Sequence, residues 1–223
     1  CTDEVADHAL GLMLAATRCL FKNHHSTTKG DWGLAVPLGK MKTLARLTVG
    51  IVGLGRIGRA VAKRLVGFGC RMLVYDPAIG DEKIEKEGGE PTSLDKLLAN
   101  SDLISLHCPS SETTRWIINE SSIAKMKSGA ILINVSRGDL VDPAALMVAL
   151  GEGRISAVGL DVFSPEPIPK DHPILRMENV IVGSHIASAS EQAAITLRES
   201  AASTILKAIN GEPLSNIVNG VSS

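Results

Sequence analysis

The stretch Gly53-Leu54-Gly55-Arg56-Ile57-Gly58 decides the fold, because it follows an apolar run at residues 47–52 and precedes a helical pattern at residues 59–68. In that context the first glycine permits a tight turn, and the second lets the backbone approach a pyrophosphate at the helix N-terminus. The third allows the helix to pack closely on the strand. A lone glycine pattern would be weak evidence, but the flanking strand and helix strengthen it. The sequence therefore predicts a dinucleotide site formed by Gly53, Gly55, Arg56, Ile57 and Gly58.

A dinucleotide site of this kind also needs an acidic residue after the second strand, and the sequence has one there. The next predicted strand, residues 72–75, is followed by Asp76, 18 positions after Gly58. This is near the roughly 20-residue spacing of a carboxylate that binds the adenosine ribose. That carboxylate would repel a 2′-phosphate, and Pro77 and Ala78 offer no cation for one. The predicted cofactor is therefore NAD rather than NADP; the alternative is a strand–helix turn without a ligand.

Short apolar runs alternate with helical patterns over residues 47–183. Strands that are apolar without alternation, separated by helices, are typical of a parallel sheet covered on both faces. We predict an α/β fold, a doubly wound parallel sheet of Rossmann type, within a domain of residues 1–186. A last helix is predicted from Ser188, with Glu191 completing a capping box, to Asn210-Gly211. Strands are predicted at residues 48–53, 72–75, 103–106, 130–135, 157–160 and 180–182, and helices at 59–68, 93–99 and 143–150.

The N-terminal segment, residues 2–20, has the pattern of one helix, and residues 9–16 carry no polar side chain on any face. Such a helix is buried on more than one side. A central core helix and a dimer-interface helix are both consistent with the pattern. The polar residues 22–42 are interpreted as a short helix or loop that crosses the surface.

Composition excludes several classes of protein. The 23 Lys and Arg residues balance 24 Asp and Glu, and six aromatic residues are too few for a base-stacking platform, so no direct nucleic-acid partner is expected. The apolar runs fall short of the roughly 20 residues of a membrane span. Four scattered cysteines without CxxC spacing indicate reduced thiols, a cytoplasmic protein and no metal site. Residue 1 is Cys rather than Met, so the native N-terminus, with any targeting signal, can precede it.

Three polar residues follow later strands, at the edge where open α/β sheets bind ligands. Arg137 follows residues 130–135 and can bind a carboxylate bidentately, although on position alone it could equally pair with Asp139 or Asp142. Glu166 lies between two prolines that restrict its backbone. His185 follows residues 180–182, where a single His is more often an ordinary hydrogen-bonded polar residue.

Together these residues suit the reduction of a 2-keto acid. Arg137 would hold the substrate carboxylate, and His185 would give a proton to the oxygen that becomes a hydroxyl. Glu166, hydrogen-bonded to His185, would orient the ring and favour its charged form. We therefore predict catalytic roles for all three, with a nicotinamide as the source of hydride.

The order of these motifs resembles the D-isomer-specific 2-hydroxyacid dehydrogenases. The residues that carry the resemblance are GLGRIG, Tyr75-Asp76, His107-Cys108-Pro109, Asn134-Val135-Ser136-Arg137-Gly138, Leu160-Asp161-Val162-Phe163 with Glu166-Pro167, and Ser184-His185. The opening residues 1–8 and residues 190–193 look most like the branch of C-terminal-binding-protein-like dehydrogenases. The resemblance implies that Asp161 binds the nicotinamide carboxamide. It also implies that Ser136 and the loop of Cys108, Pro109 and Thr114 line the cofactor, and that residues 2–20 form part of a homodimer interface.

The chain departs from the family pattern in two places. Gly183-Ser184 stands before His185 where the family most often has Thr-Pro, which would make the loop less rigid. In this family a separate substrate lobe is built mainly from residues before the first helix. Here that lobe is expected to precede Cys1, and residues 187–223 are expected to be its C-terminal helix and tail. The chain alone would then bind NADH with negligible turnover.

A second hypothesis comes from another functional class. The resemblance to C-terminal-binding proteins also permits a dimeric, corepressor-like module that senses NAD(H) and in which catalysis is incidental.

Overall fold

The computed structural model describes residues 1–214. In this part of the chain seven strands form one parallel sheet, with the order β3-β2-β1-β4-β5-β6-β7. The direction of winding reverses between β1 and β4, which creates the crevice where open α/β sheets bind ligands. The strands are β1 (Thr48–Val52), β2 (Arg71–Tyr75), β3 (Glu90–Pro91), β4 (Leu103–Leu106), β5 (Ala130–Asn134), β6 (Ile155–Leu160) and β7 (Val180–Val182).

Helices cover both faces of the sheet, so the predicted doubly wound fold is confirmed. Alternate strand residues point to opposite faces, and each face forms its own apolar cluster. Helices α1 (Thr2–Thr17), α3 (Arg56–Val66) and α4 (Asp81–Lys86) contribute to one cluster. Helices α5 (Leu94–Asn100), α6 (Glu120–Lys125) and α7 (Pro143–Gly151) contribute to the other. The sequence did not predict α4, β3 or α6, which are short segments with polar residues on most positions.

The predicted helix at residues 2–20 is wrong at its C-terminal end. Helix α1 ends at Thr17, and a second helix, α2 (Leu20–Thr28), begins after Cys19, whose φ of +51° is left-handed. The backbone N–H of Lys42 donates to the Thr17 carbonyl at 2.8 Å, so a segment distant in sequence satisfies a carbonyl at the C-terminal end of α1. The polar residues that follow contain α2 and a short 3₁₀ helix, Leu38–Lys40, as predicted.

Helix α1 is a core helix of its own subunit. Its buried side chains pack against the sheet and α3, which explains why residues 9–16 are apolar all round. On its exposed edge, Arg64 of α3 donates from Nε to Asp7 at 2.6 Å and from Nη2 to Asp3 at 2.9 Å. The structure therefore supports the core interpretation of α1, and the interface at residues 2–20 stays a prediction. Its buried side chains are Val5, Ala6, Ala9, Leu10, Leu12, Met13, Ala15, Ala16 and Thr17.

Residues 2–187 form one compact unit, and a second unit begins at Ser188 and includes Cys1. Its helix α8 (Glu191–Ile209) is capped by Ser190, whose Oγ accepts from the Ala193 N–H at 2.9 Å. The cap predicted at Ser188 was therefore two residues early, because Ser190 offers the same hydroxyl closer to the helix. The predicted end is confirmed, since Asn210 is the C-cap and Gly211 has a φ of +67°. None of the helices within residues 1–214 has the length and apolar character to cross a membrane.

Candidate active site

The glycine-rich turn between β1 and α3 is tightly packed at Gly53 and Gly58 and open at Gly55. Gly53 has a φ of +93°, and a Cβ there would lie 2.5 Å from the backbone nitrogen of Cys108. A Cβ on Gly58 would overlap the carbonyl oxygen of Gly53. By contrast, a Cβ on Gly55, the N-cap of α3, would meet no atom within 4 Å. The helix N-terminus, with its unpaired N–H groups, therefore faces free space, as a pyrophosphate site requires. Arg56 and Ile57 form the first turn of this helix.

Asp76 connects the end of β2 to this turn. Its Oδ2 accepts from the Leu54 N–H at 2.6 Å, and its Oδ1 accepts from the Ala78 N–H at 2.9 Å. The pairing of Val52 with Tyr75 across β1 and β2 brings the two strand ends together. The carboxylate keeps further lone pairs, so it can also accept hydroxyl groups of a ribose. The glycine turn and Asp76 therefore fit a dinucleotide.

The loop after β4 contains the predicted residues Cys108, Pro109 and Thr114. Ser136 donates from Oγ to the Cys108 carbonyl at 2.6 Å, and Thr114 donates from Oγ1 to the Pro109 carbonyl at 2.7 Å. Burial, together with the charge of Asp76, raises the pKa of the Cys108 thiol to about 11. The thiol is therefore protonated near neutral pH and is not a nucleophile. This loop supplies shape to the crevice rather than covalent chemistry.

Arg137 is exposed at the end of β5, and its two alternative partners are engaged elsewhere. Asp139 accepts from Ser110 Oγ at 2.6 Å, and Asp142 caps α7 by accepting from the Ala144 N–H at 2.9 Å. Arg137 itself donates from Nη1 to the neighbouring Ser136 carbonyl at 2.7 Å. Its guanidinium keeps further donors for a ligand.

Glu166 and His185 form a hydrogen-bonded pair, with Glu166 Oε2 2.7 Å from His185 Nδ1. The other oxygen, Oε1, accepts from the Phe163 N–H at 2.8 Å. Partial burial alone would raise the pKa of Glu166. The hydrogen bonds from His185 and Phe163, and the charges of His185 and Arg137, outweigh burial and lower this pKa below its usual value. The carboxylate is therefore charged at neutral pH. As an acceptor at Nδ1, it leaves Nε2 of the ring for proton exchange with a ligand.

Asp161 is completely buried at the end of β6. Its Oδ1 accepts from the Ile186 N–H at 3.1 Å, and its Oδ2 accepts from the Ala187 N–H at 2.7 Å. Its predicted contact with a nicotinamide carboxamide stays a prediction. The bonds that the structure shows run to the backbone after His185.

Two histidines, each with a buried ring nitrogen, were not singled out as site residues. His107, after β4, has Nε2 2.8 Å from Ser105 Oγ and a buried Nδ1, and burial lowers its pKa to about 4. His8, on α1, has Nε2 3.7 Å from Asp161 Oδ1. The sequence signal for each histidine is a polar residue within an apolar segment, because a buried imidazole nitrogen needs a hydrogen-bond partner. The partner of His8 lies more than 150 positions along the chain, so the sequence could not identify it.

The parallel topology brings the predicted residues to one edge of the sheet. Arg137, Glu166 and His185 follow β5, β6 and β7, and the glycine turn follows β1 at the same edge. A cation, a hydrogen-bonded carboxylate–imidazole pair and a glycine turn thus lie at one edge of the sheet. Within residues 1–214, no group of three or more His, Cys, Asp and Glu side chains could hold a metal ion.

Comparison with known proteins identifies the family. Residues 10–187 match the family described as "D-isomer specific 2-hydroxyacid dehydrogenase, NAD binding domain". The chain is 44% identical to a glyoxylate reductase of Korarchaeum cryptofilum, over 98% of this chain and 66% of the relative. It is 37% identical to a D-3-phosphoglycerate dehydrogenase of Archaeoglobus fulgidus, over 98% of this chain and 41% of the relative. The chain therefore spans less than two thirds of the length of these relatives.

Solved structures agree with this assignment. D-lactate dehydrogenase with NAD⁺ from Lactobacillus jensenii superposes with a TM-score of 0.89 at 31% identity, over 98% of this chain and 69% of that one. D-lactate dehydrogenase from Aquifex aeolicus, complexed with NAD and lactic acid, has a TM-score of 0.87 at 33% identity, over 95% of this chain and 68% of that one.

Proposed function

The chain belongs to the D-isomer-specific 2-hydroxyacid dehydrogenases, and from this premise we propose that it is the NAD-binding part of an oxidoreductase for a small 2-hydroxy or 2-keto acid. The observation that carries the proposal is the 2.7 Å hydrogen bond between Glu166 and His185, at the same sheet edge as Arg137 and the glycine turn. Bound NAD(H) would supply the hydride, which no protein side chain can.

The cofactor would be held by backbone and carboxylate groups. The N-terminus of α3 at Gly55, Arg56 and Ile57 would bind the pyrophosphate, and Asp76 the adenosine ribose. Ser136 and the loop of Cys108, Pro109 and Thr114 would line the crevice. Asp76 also disfavours a 2′-phosphate by charge repulsion, which supports NAD over NADP.

The substrate would be bound and protonated by three side chains. Arg137 presents a planar fork to the substrate carboxylate, which fixes C2 and its oxygen. In the direction of reduction, His185 gives the proton on Nε2 to the oxygen at C2 as that oxygen gains negative charge. Glu166 accepts from Nδ1 and so orients the ring, which leaves Nε2 to carry the transferred proton. In the direction of oxidation, the same nitrogen accepts the hydroxyl proton.

A substrate screen tests this proposal. The full-length protein that contains this chain is incubated with NADH and, separately, with glyoxylate, hydroxypyruvate, pyruvate and phosphohydroxypyruvate. Oxidation of NADH with at least one of these 2-keto acids is expected. The absence of turnover with every one of them would contradict the proposed reaction.

We also infer two units, residues 1–186 for the cofactor and residues 187–223 as the C-terminal helix and tail of a substrate lobe. Supporting this division, the packing changes between Ala187 and Ser188. Proteolysis should cut near this boundary before it cuts the sheet.

A homodimer is proposed from exposed apolar side chains on α2 and the segment after it. Helix α2 has no buried residue, and Phe21, Trp32 and Leu38 are 59%, 94% and 72% exposed. These exposed side chains directly follow the predicted interface at residues 2–20, so we propose that the dimer surface extends over them. Trp32→Ala is expected to weaken the dimer in analytical ultracentrifugation, whereas a monomeric wild-type protein would contradict the proposal.

The same exposed surface supports the alternative of an NAD(H)-sensing interaction module. A pull-down from cell extract distinguishes the two functions. If a partner bound only in the presence of NADH, and bound equally to Arg137→Ala and His185→Ala, sensing would be favoured. If no partner bound, the sensing alternative would be rejected.

A further inference from the structure

Asp161 bonds to three consecutive backbone groups on the segment that carries His185. Its carbonyl oxygen accepts from the His185 N–H at 2.7 Å, and its two carboxylate oxygens accept from Ile186 and Ala187. The side chain is fully buried, so no water competes for these donors. In a water-excluded setting, hydrogen bonds to a carboxylate are strong, and their loss leaves buried donors unsatisfied.

These bonds surround a residue in a disfavoured conformation. His185 has a φ of +60°, in the left-handed region that non-glycine residues seldom occupy. Such a conformation persists only where the surroundings determine it. Here the N–H groups of His185 and Ile186, on either side of the His185 Cα, both donate to Asp161, and the ring bonds to Glu166. A relaxed His185 backbone would point the imidazole elsewhere.

Gly183 makes room for the carboxylate. A Cβ at this position would overlap Asp161 Oδ1 and lie 3.1 Å from its Cγ. No positive φ is involved, so the requirement for glycine here is one of space. The absence of a side chain thus permits Asp161 to turn toward residues 186 and 187. From the other side, His8 on α1 brings Nε2 to 3.7 Å from Oδ1.

We propose that Asp161 is the positioning residue for His185: its buried carboxylate holds the N–H groups of Ile186 and Ala187, which directly follow His185, and Gly183 provides the space for it. The inference rests on the proposed role of His185 and deepens it. It differs from the expectation that Asp161 acts by binding the nicotinamide carboxamide, because its effect would be transmitted through the backbone and would exist without cofactor.

Amide hydrogen exchange, followed by NMR in the NAD-free protein, tests the proposal. In Asp161→Asn the side-chain NH₂ group would face one of the two N–H donors. Exchange at Ile186 and Ala187 should therefore accelerate about 10- to 100-fold. Gly183→Ala, which leaves the carboxylate chemically intact but displaces it, should accelerate exchange at the same two amides.

Two matched substitutions serve as controls. Asp142 accepts from the Ala144 and Ala145 N–H groups through the single oxygen Oδ1, so Asn can replace it, and Asp142→Asn should leave exchange at Ile186 and Ala187 unchanged. Gly151→Ala adds a Cβ in open space and should also have no effect on them.

Activity supplies the second readout. In the full-length enzyme, Asp161→Asn and Gly183→Ala should lower kcat at least about 10-fold, whereas the Kd of NADH should change less than about 2-fold. Unchanged exchange at Ile186 and Ala187 in both variants would overturn the proposal. Unchanged exchange with weakened NADH binding would assign Asp161 to the cofactor instead. If Asp161→Asn does not fold, amide exchange at Ile186 and Ala187 in Gly183→Ala decides whether the proposal holds. If the wild-type enzyme reduces no 2-keto acid, the proposed function fails, but the exchange rates still test the role of Asp161.

Discussion

His185 Nδ1 lies 2.7 Å from Glu166 Oε2, and the two residues are supplied by segments that follow different strands of one parallel sheet. The pair is half open to solvent, with the imidazole 49% and the carboxylate 35% exposed, so a ligand can reach the ring. Because Nδ1 is bonded to the carboxylate, Nε2 is the ring nitrogen that we propose exchanges a proton with the substrate.

Glu166→Gln should lower kcat for reduction by about 100-fold. The amide oxygen can still accept from Nδ1, but the negative charge beside the ring is lost, and the NH₂ group would face the Phe163 N–H that Oε1 accepts in the wild type. Because its hydrogen bonds and neighbouring charges hold the pKa of Glu166 below its usual value, the wild-type carboxylate is charged over the whole neutral range. The loss in kcat should therefore be present throughout that range. Profiles of kcat/KM against pH test this, with the exposed Glu152→Gln as control; superimposable profiles for Glu166→Gln and wild type would refute the role of the carboxylate.

Arg137→Lys should raise KM for the 2-keto acid by about 10- to 100-fold, because an ammonium cannot reproduce the bidentate fork. Arg137→Ala should be at least as damaging. The Kd of NADH, measured by fluorescence titration, should stay within about 2-fold of wild type for both. The exposed Arg176→Lys is the matched control. An unchanged KM for Arg137→Lys would show that the guanidinium does not bind the substrate.

Asp76→Asn should narrow the preference for NADH over NADPH. The amide oxygen can still accept the Leu54 N–H, which keeps the bond to the glycine turn, while the NH₂ group would face the exposed Ala78 N–H. The charge that repels a 2′-phosphate is removed. We expect wild type to bind NADH about 100-fold more tightly than NADPH, and the variant to lose at least a factor of about 10 of this ratio. Parallel titrations with both nucleotides measure it. Equal ratios in the two proteins would exclude Asp76 as the discriminating group.

Acid should destabilise the fold through His107. Burial lowers its folded-state pKa to about 4, below the value of about 6.5 expected in the unfolded chain. Between these values the unfolded state binds the proton and the folded state does not, so the free energy of unfolding falls as pH falls from 6.5 to about 4. The limit for this one group is about 3 kcal/mol.

His107→Gln removes the titration at that site. Its free energy of unfolding, measured with urea, should therefore fall less than that of wild type between pH 7 and about pH 4.5. For the control His24→Gln, at an exposed position of α2, the free energy of unfolding should fall as much as for wild type. Equal declines for His107→Gln and wild type would contradict the buried, neutral state of this ring.

The sequence was most informative where structure is local. The glycine turn and Asp76 were predicted because one strand, one turn and one helix contain them, and the apolar runs identified six of the seven strands of the described sheet. The break at Cys19 could not be predicted, since no glycine or proline marks it and Lys42 reaches the end of α1 from 25 positions away.

In the candidate site, too, the sequence predicted the local features and not the long-range contacts. Arg137, Glu166 and His185 stand at strand ends, and parallel strands bring such ends together whatever the details of the fold. The burial of Asp161, its bonds to Ile186 and Ala187, and the space above Gly183 depend on side-chain packing between segments more than 20 positions apart. These relationships are visible only in three dimensions.

We propose that His185 exchanges the substrate proton in an NAD-dependent reaction. This role is tested by steady-state oxidation of NADH by the full-length protein and its His185→Gln variant, with the 2-keto acid that the wild type reduces best. The variant should lose about 10³-fold or more in kcat while the Kd of NADH stays within about 2-fold of wild type. Turnover by His185→Gln at the wild-type rate would contradict the claim.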